Sequence, residues 1–146
     1  MDFEKFLNLE RGDFRGRTLK EIWRYTDIQI EQIYDFIQVV FPLNKPSNSN
    51  PHTYYLNDDT TIERIQTNET IKQNIIKSYK WFLSFLKRNE SWKKQYNHNH
   101  LRITRIIECL RLLVSDEEAN KFHKSTLKLL GDKKINKITL EFWGNA

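Results

Sequence analysis

Apolar residues along this chain fall at helical intervals, and no stretch alternates with period two for more than a few residues. The clearest run is Ile71, Ile75, Tyr79, Phe82, Leu83 and Leu86. It predicts a long helix opened by Asn68. Ahead of it, Phe3, Phe6 and Leu7 predict a short helix within residues 2–9. Thr18 with Glu21 three residues on forms a capping-box pattern for a helix carrying Leu19, Ile22 and Trp23. Ile30, Ile33, Tyr34, Ile37 and Phe41 then share one helical face, from a cap at Asp27 to a stop at Pro42.

Residues 42–56 hold all three prolines and no helical repeat. They predict an ordered surface loop anchored by Tyr54, Tyr55 and Leu56. Asn57 or Asp58 opens a short helix through Ile62 and Ile65. Residues 88–97 are polar, anchored by Trp92 and Tyr96. A helix runs from about residue 98 to Val114. Ser115 caps another, which carries Ala119, Phe122, Thr126 and Leu130 and stops at Gly131. Asn136 caps a last turn or two ending near Trp143. The expected fold class is all-α: one domain over 1–146, a compact bundle of about seven or eight short helices with a central helix near 98–114.

Composition agrees with a packed core. Hydrophobic residues are 38% and aromatic residues 13%, with four Trp, six Tyr and nine Phe. A chain of 146 residues with that much apolar bulk is globular rather than disordered. The net charge of +5 favours solubility and polyanions, and alone does not mark a nucleic-acid binder. The lone Cys109 excludes an intramolecular disulfide and fits a reducing compartment. The first residues, MDFEKFLNLERGD, are not a signal peptide. No apolar run approaches the roughly 18 residues of a membrane span. A soluble cytoplasmic protein is expected.

The chemistry concentrates in NHNHLRITR, residues 97–105. On a helical wheel Ile103, Ile106, Ile107, Leu110, Leu113 and Val114 form one face, and Asn99 shares it. Leu101 and Leu112 lie on the far side with Arg105 and Glu108. Apolar residues on both sides suggest a helix packed on both. Arg102 and Arg105 are then partly buried and need carboxylate or carbonyl partners; Asp35 and Glu31 are candidates. Asn97 or Asn99 would cap the helix, and the His and Arg side chains would clamp it to its neighbours. Alternatively, His98, His100, Arg102 and Arg105 line a pocket for an anion or a peptide carboxylate, which a planar guanidinium grips with two bonds. Metal binding by His98 and His100 is the weaker reading, because i, i+2 spacing suits a strand and no CxxC or HExxH accompanies it. No cofactor or metal is expected. The letters HNH also name a nuclease motif, but its hairpin is missing.

Other chemistry is thin. Cys109 reads as an inert buried thiol. Asp58–Asp59 and Glu117–Glu118 sit at helix starts, where acids favour the dipole. Between Lys77 and Arg105 lie eight basic residues against the single acid Glu90, interleaved with Trp81, Trp92 and Tyr96. That pattern suits nucleic acid; a solvated face over ordinary core aromatics is the plainer reading. There is no GxSxG, P-loop or GxGxxG.

Several segments occur together in one order: GRTLKEI (16–22), DFIQVVFP (35–42), PSNSNP (46–51), SYKWFLSF (78–85), HNHLRITRII (98–107) and ITLEFW (138–143). Together they resemble the opioid growth factor receptor conserved domain in a compact, stand-alone microbial form, over essentially the whole chain. Where that family usually reads YIQWLFP, this chain has Phe36 for Tyr and Val39 for Trp. Where it usually has a preceding His, this chain has Asp35. The animal members look like binders of an enkephalin peptide, and the resemblance implies no enzymatic activity. Gln38, Phe41, Pro42, His98, Asn99, Leu101, Arg102, Thr104 and Arg105 match the family's signature positions.

These readings converge on a non-catalytic interaction module. Its partner is an unidentified protein, peptide or small anionic ligand. The candidate binding residues are His98, Asn99, His100, Arg102, Thr104, Arg105, Gln38 and Phe41. The alternatives are a nucleic-acid-associated protein using the basic 77–105 region, and a small enzyme with His98 or His100 as general base.

Overall fold

The computed structural model describes residues 1–47 and 54–146, and among these the regular structure is entirely helical. Nine helices follow in order among the described residues: α1 (Phe3–Leu7), α2 (Leu19–Trp23), α3 (Asp27–Gln32), α4 (Ile37–Val40), α5 (Asp59–Gln66), α6 (Glu69–Arg88), α7 (Asn99–Leu113), α8 (Asp116–Leu130) and α9 (Lys137–Asn145). The all-α expectation holds, with one helix more than expected. The PSNSNP segment falls largely on residues 48–53, outside the described residues. The chain divides into two compact units, Met1–Ser78 and Tyr79–Ala146, and α6 runs through the boundary.

Most helices start where a side chain supplies the acceptor that an unpaired first-turn N–H requires. Asp2 accepts from the Lys5 N–H, Thr18 from Glu21, Asp58 from Thr60, Ser115 from Glu118 and Asn136 from Ile138. Asn68 Oδ1 accepts from the Ile71 N–H at the start of α6. At α3 the cap is Thr26 rather than Asp27, in a reciprocal capping box with Gln29. Asp27 is the first helical residue, where its charge favours the dipole.

The single helix expected from Ile30 to Phe41 is instead two. Ile33 has ψ of 125°, an extended backbone that ends α3, and α4 begins at Ile37. The reason is tertiary. Asp35, in the break, receives a hydrogen bond from Arg17 Nη1 at 2.8 Å and pairs with Arg15. Tyr34 is left exposed while Phe36, Val39, Val40 and Phe41 are fully buried.

In the first unit the loop before α2 is built around Asp13. Its Oδ1 accepts the backbone N–H groups of Arg15 and Arg17 at 3.0 and 2.9 Å. Its Oδ2 accepts from Arg17 Nη2 at 2.6 Å. Gly12 is required there: a Cβ on it would come within 2.6 Å of the Gly16 carbonyl carbon. Phe14 stacks on Tyr54 with ring centroids 4.3 Å apart. Asn74 Nδ2 donates to the Leu7 carbonyl, and the Trp23 indole donates to Ser78 Oγ at 2.9 Å.

In the second unit α7 packs against α8 and α9. Its buried positions are Ile103, Ile106, Ile107, Cys109, Leu110 and Leu113, together with Asn99, His100 and Arg102. The far side of this helix is not buried throughout: Leu101 is 66% exposed. Tyr96, expected as an anchor, is 77% exposed, whereas Trp92 is fully buried and its indole donates to the Leu86 carbonyl at 2.9 Å. The loop 88–97 therefore hangs on one aromatic anchor rather than two.

Candidate functional site

The start of α7 is capped by Asn97, one of the two residues anticipated. Its Oδ1 accepts the Asn99 N–H at 2.9 Å, and its carbonyl accepts the His100 N–H at 3.0 Å. His98 follows in helical conformation with its side chain exposed. From there inward the motif turns to the interior.

His100 is the hinge pin. Its Nε2 lies 2.7 Å from the Trp92 carbonyl, and a carbonyl can only accept, so Nε2 carries the proton. Burial holds the imidazole below its ordinary pKa of 6.5; the Trp92 hydrogen bond works against that, and His98 nearby adds to it. The ring stands edge-on to Trp143, with centroids 5.8 Å apart and planes at 89°. The Trp143 indole donates to the His100 carbonyl at 3.1 Å, and Thr104 Oγ1 donates to the same oxygen at 3.1 Å. One residue thus ties the preceding loop, its own helix and α9 together.

Asn99 is fully buried and its Oδ1 accepts from Arg102 Nη1 at 3.4 Å; Arg102 is itself buried. Arg105 lies half-buried one turn further on, and burial lowers its pKa, with Cys109 and Glu108 opposing that shift. Burial also pushes the Cys109 thiol up to about 12, so it remains protonated and unreactive in the folded chain.

Gln38 and Phe41 sit in the first unit. Gln38 is buried, with Oε1 accepting the Tyr54 N–H at 3.2 Å, which ties Tyr54 to α4. Phe41 is fully buried. Of the eight candidate residues, only His98 is exposed. Asp35, considered as a partner for the α7 arginines, is engaged by Arg17 and Arg15.

The sequence reading missed a second polar centre, Asp13–Arg17–Asp35. Arg17 donates Nε and Nη2 to Asp13 and Nη1 to Asp35. Burial alone would lower the guanidinium pKa; the hydrogen bonds and charges of Asp13 and Asp35 outweigh it and raise the pKa. The signal in the sequence was an Asp in a loop flanked by Gly12 and Gly16, with Arg four residues on. A further cleft of about 450 Å³ lies among Tyr54, Tyr55, Asp2, Glu4, Asp58 and Arg64. Its carboxylates already have partners: Asp2 and Asp58 cap helices, and Glu4 pairs with Arg64 at 2.8 Å. Among the described residues no group of three or more His, Cys, Asp or Glu side chains is placed to hold a metal ion. No helix there is long and apolar enough to cross a membrane.

No curated protein and no solved structure matches the chain. The model of the opioid growth factor receptor conserved region matches residues 7–141. That span takes in every residue of the α7 clamp except Trp143, together with the Arg17 centre, Gln38 and Phe41, and the chain belongs to the opioid growth factor receptor conserved-region family.

Proposed function

We propose that the protein is a non-catalytic interaction module whose ligand is a peptide or a small anion. The observation that carries this reading is Leu101. It is 66% exposed between His100 and Arg102, which are both buried. The clamp holds the start of α7 rigid and leaves Leu101 and His98 outside, with Tyr96 exposed two residues upstream. An apolar side chain beside an imidazole at a helix N-terminus suits a short peptide ending in a carboxylate, because the helix end adds positive potential.

The buried His100 ring supports the non-catalytic reading. Its Nε2 is spent on a backbone carbonyl, so it cannot take a substrate proton at that atom. The nucleic-acid reading loses its central stacking platform, because Trp92 is buried in the middle of the basic stretch.

A library of short peptides with free C-terminal carboxylates, selected on the parent protein, tests the proposal. Peptides so selected should bind Leu101→Glu and His98→Ala about ten-fold or more weakly, while both variants melt with the parent. If no peptide is enriched, or if the variants bind like the parent, the peptide reading is wrong.

A further inference from the structure

We infer that the region formed by α8, the following loop and α9 docks on an anionic lipid surface. Charge is divided unevenly along the chain. Residues 1–78 carry 10 Lys and Arg against 12 Asp and Glu, whereas residues 79–146 carry 14 against 7. Within the second unit the excess is concentrated further. Residues 121–137, KFHKSTLKLLGDKKINK, hold six lysines and one acid, Asp132.

Lys124, Lys128, Lys133, Lys134 and Lys137 are all exposed and make no ion pair among the described residues. The sixth, Lys121, is paired with Glu117 and Glu118. Lys124 and Lys128 stand one turn apart on the face of α8 opposite its buried residues, Phe122, Thr126 and Leu130. Leu127, 40% exposed, shares that face.

α9 continues the pattern. Trp143 is fully buried and anchors one side of the helix through its bond to the His100 carbonyl. Ile138 and Phe142, at i and i+4, lie on the other side and are 59% and 57% exposed. Lys137 immediately precedes this pair. A short helix fixed by one face, with an aliphatic and an aromatic side chain turned outward next to the exposed Lys137, has the composition of an interfacial element.

The side-chain types distinguish a bilayer from nucleic acid. Lys offers a mobile point charge, which suits a fluid layer of headgroups, whereas base and phosphate recognition favours the planar fork of Arg. Residues 121–137 contain no Arg. Ile138 and Leu127 gain nothing from stacking on a base, and both gain from entering the acyl boundary. Each lysine near an anionic leaflet contributes on the order of five-fold to partitioning.

Co-sedimentation of the full chain with vesicles tests this. The parent should pellet with equimolar phosphatidylserine and phosphatidylcholine and stay in solution with phosphatidylcholine alone. The double variant Lys133→Glu/Lys134→Glu should lose about 25-fold or more in partitioning. Ile138→Ser/Phe142→Ser should lose about ten-fold or more. All four positions are exposed, and an unchanged melting curve for both variants confirms that they still fold. The inference is overturned if the parent stays in solution with the acidic vesicles at low salt. It is equally overturned if the serine variant pellets as the parent does. Tighter binding to a single-stranded oligonucleotide, insensitive to the serine substitutions, would show a nucleic-acid surface instead and also overturn it.

Discussion

The indole N–H of Trp143 donates to the backbone carbonyl of His100 at 3.1 Å, across 43 residues of sequence. The polar stretch that opens α7 is thus completed by an aromatic ring on α9. The same carbonyl also accepts from Thr104 Oγ1 at 3.1 Å.

Removing that donor has a calculable cost. Trp143→Ala empties a fully buried site and should destabilise the fold by about 3–5 kcal/mol. Trp143→Phe keeps most of the volume and loses the bond, for about 1–2 kcal/mol. Thermal unfolding of the two variants beside the parent separates packing from hydrogen bonding. No loss for Trp143→Phe would mean that the bond contributes nothing, and equal losses would mean that the bond, not the packing, carries the stabilisation.

Arg102 and His98 should behave oppositely. Arg102 is buried against Asn99, so Arg102→Ala should cost about 2–4 kcal/mol through lost packing and charge-assisted bonds. His98 is exposed, and His98→Ala should stay within about 0.5 kcal/mol of the parent. A small loss at Arg102 would mean that this guanidinium is held in place for something other than stability.

Stability should fall in mild acid. His100 and His123 both have folded pKa values below the ordinary 6.5, each mainly through burial. Below that value the unfolded chain takes up protons that the folded chain resists. Stability therefore declines as pH drops from 6.5 toward the folded pKa values, and this contribution levels off below them. Melting temperatures between about pH 7.5 and about pH 5 should show the decline. The double variant His100→Gln/His123→Gln should flatten it. A parent protein indifferent to pH across this range would contradict the burial of His100 and the partial burial of His123.

Arg17 should matter more than its loop position suggests. Arg17→Ala leaves the buried Asp13 carboxylate with only the backbone N–H groups of residues 15 and 17, for a loss of about 3 kcal/mol. Arg17→Lys should recover only part of that loss, because an ammonium cannot reproduce the forked bonds to Asp13 and Asp35. Urea unfolding of the two variants measures the difference. Full recovery by Lys would reduce the centre to simple charge pairing.

Cys109 should be silent to thiol reagents until the chain unfolds. With its pKa pushed up to about 12 and its side chain inaccessible, the folded protein should not react with an aromatic disulfide probe at neutral pH. Labelling should appear at the same denaturant concentration as loss of helicity. Rapid labelling of the native protein would show that α7 opens locally.

Much of the helical layout was legible because capping is local chemistry. Thr18, Asn68, Ser115 and Asn136 announce helix starts within three residues of themselves, and Gly131 ends α8 with φ of 62°. The break between α3 and α4 was not legible. The apolar repeat through Ile30, Ile33, Ile37 and Phe41 runs straight across it, and the demand that interrupts it comes from Arg17, 18 residues upstream of Asp35. Period alone also misjudged Leu101 and Tyr96. A wheel shows which side chains share a face, and it cannot show whether anything covers that face. The polar motif was recognisable by its residue types, and its inward direction depended on Trp92 and Trp143, whose partnership with His100 no local pattern encodes.

The span between His100 and Trp143 also orders events during synthesis. Chains fold from the N-terminus as they emerge, and contacts distant in sequence form late. While the ribosome is still translating α8, the His100 carbonyl has Thr104 but not yet its indole donor. A nascent chain stalled before residue 143 should therefore leave α7 loosely seated and open to protease near His100, and the seating of that helix waits for α9 to emerge.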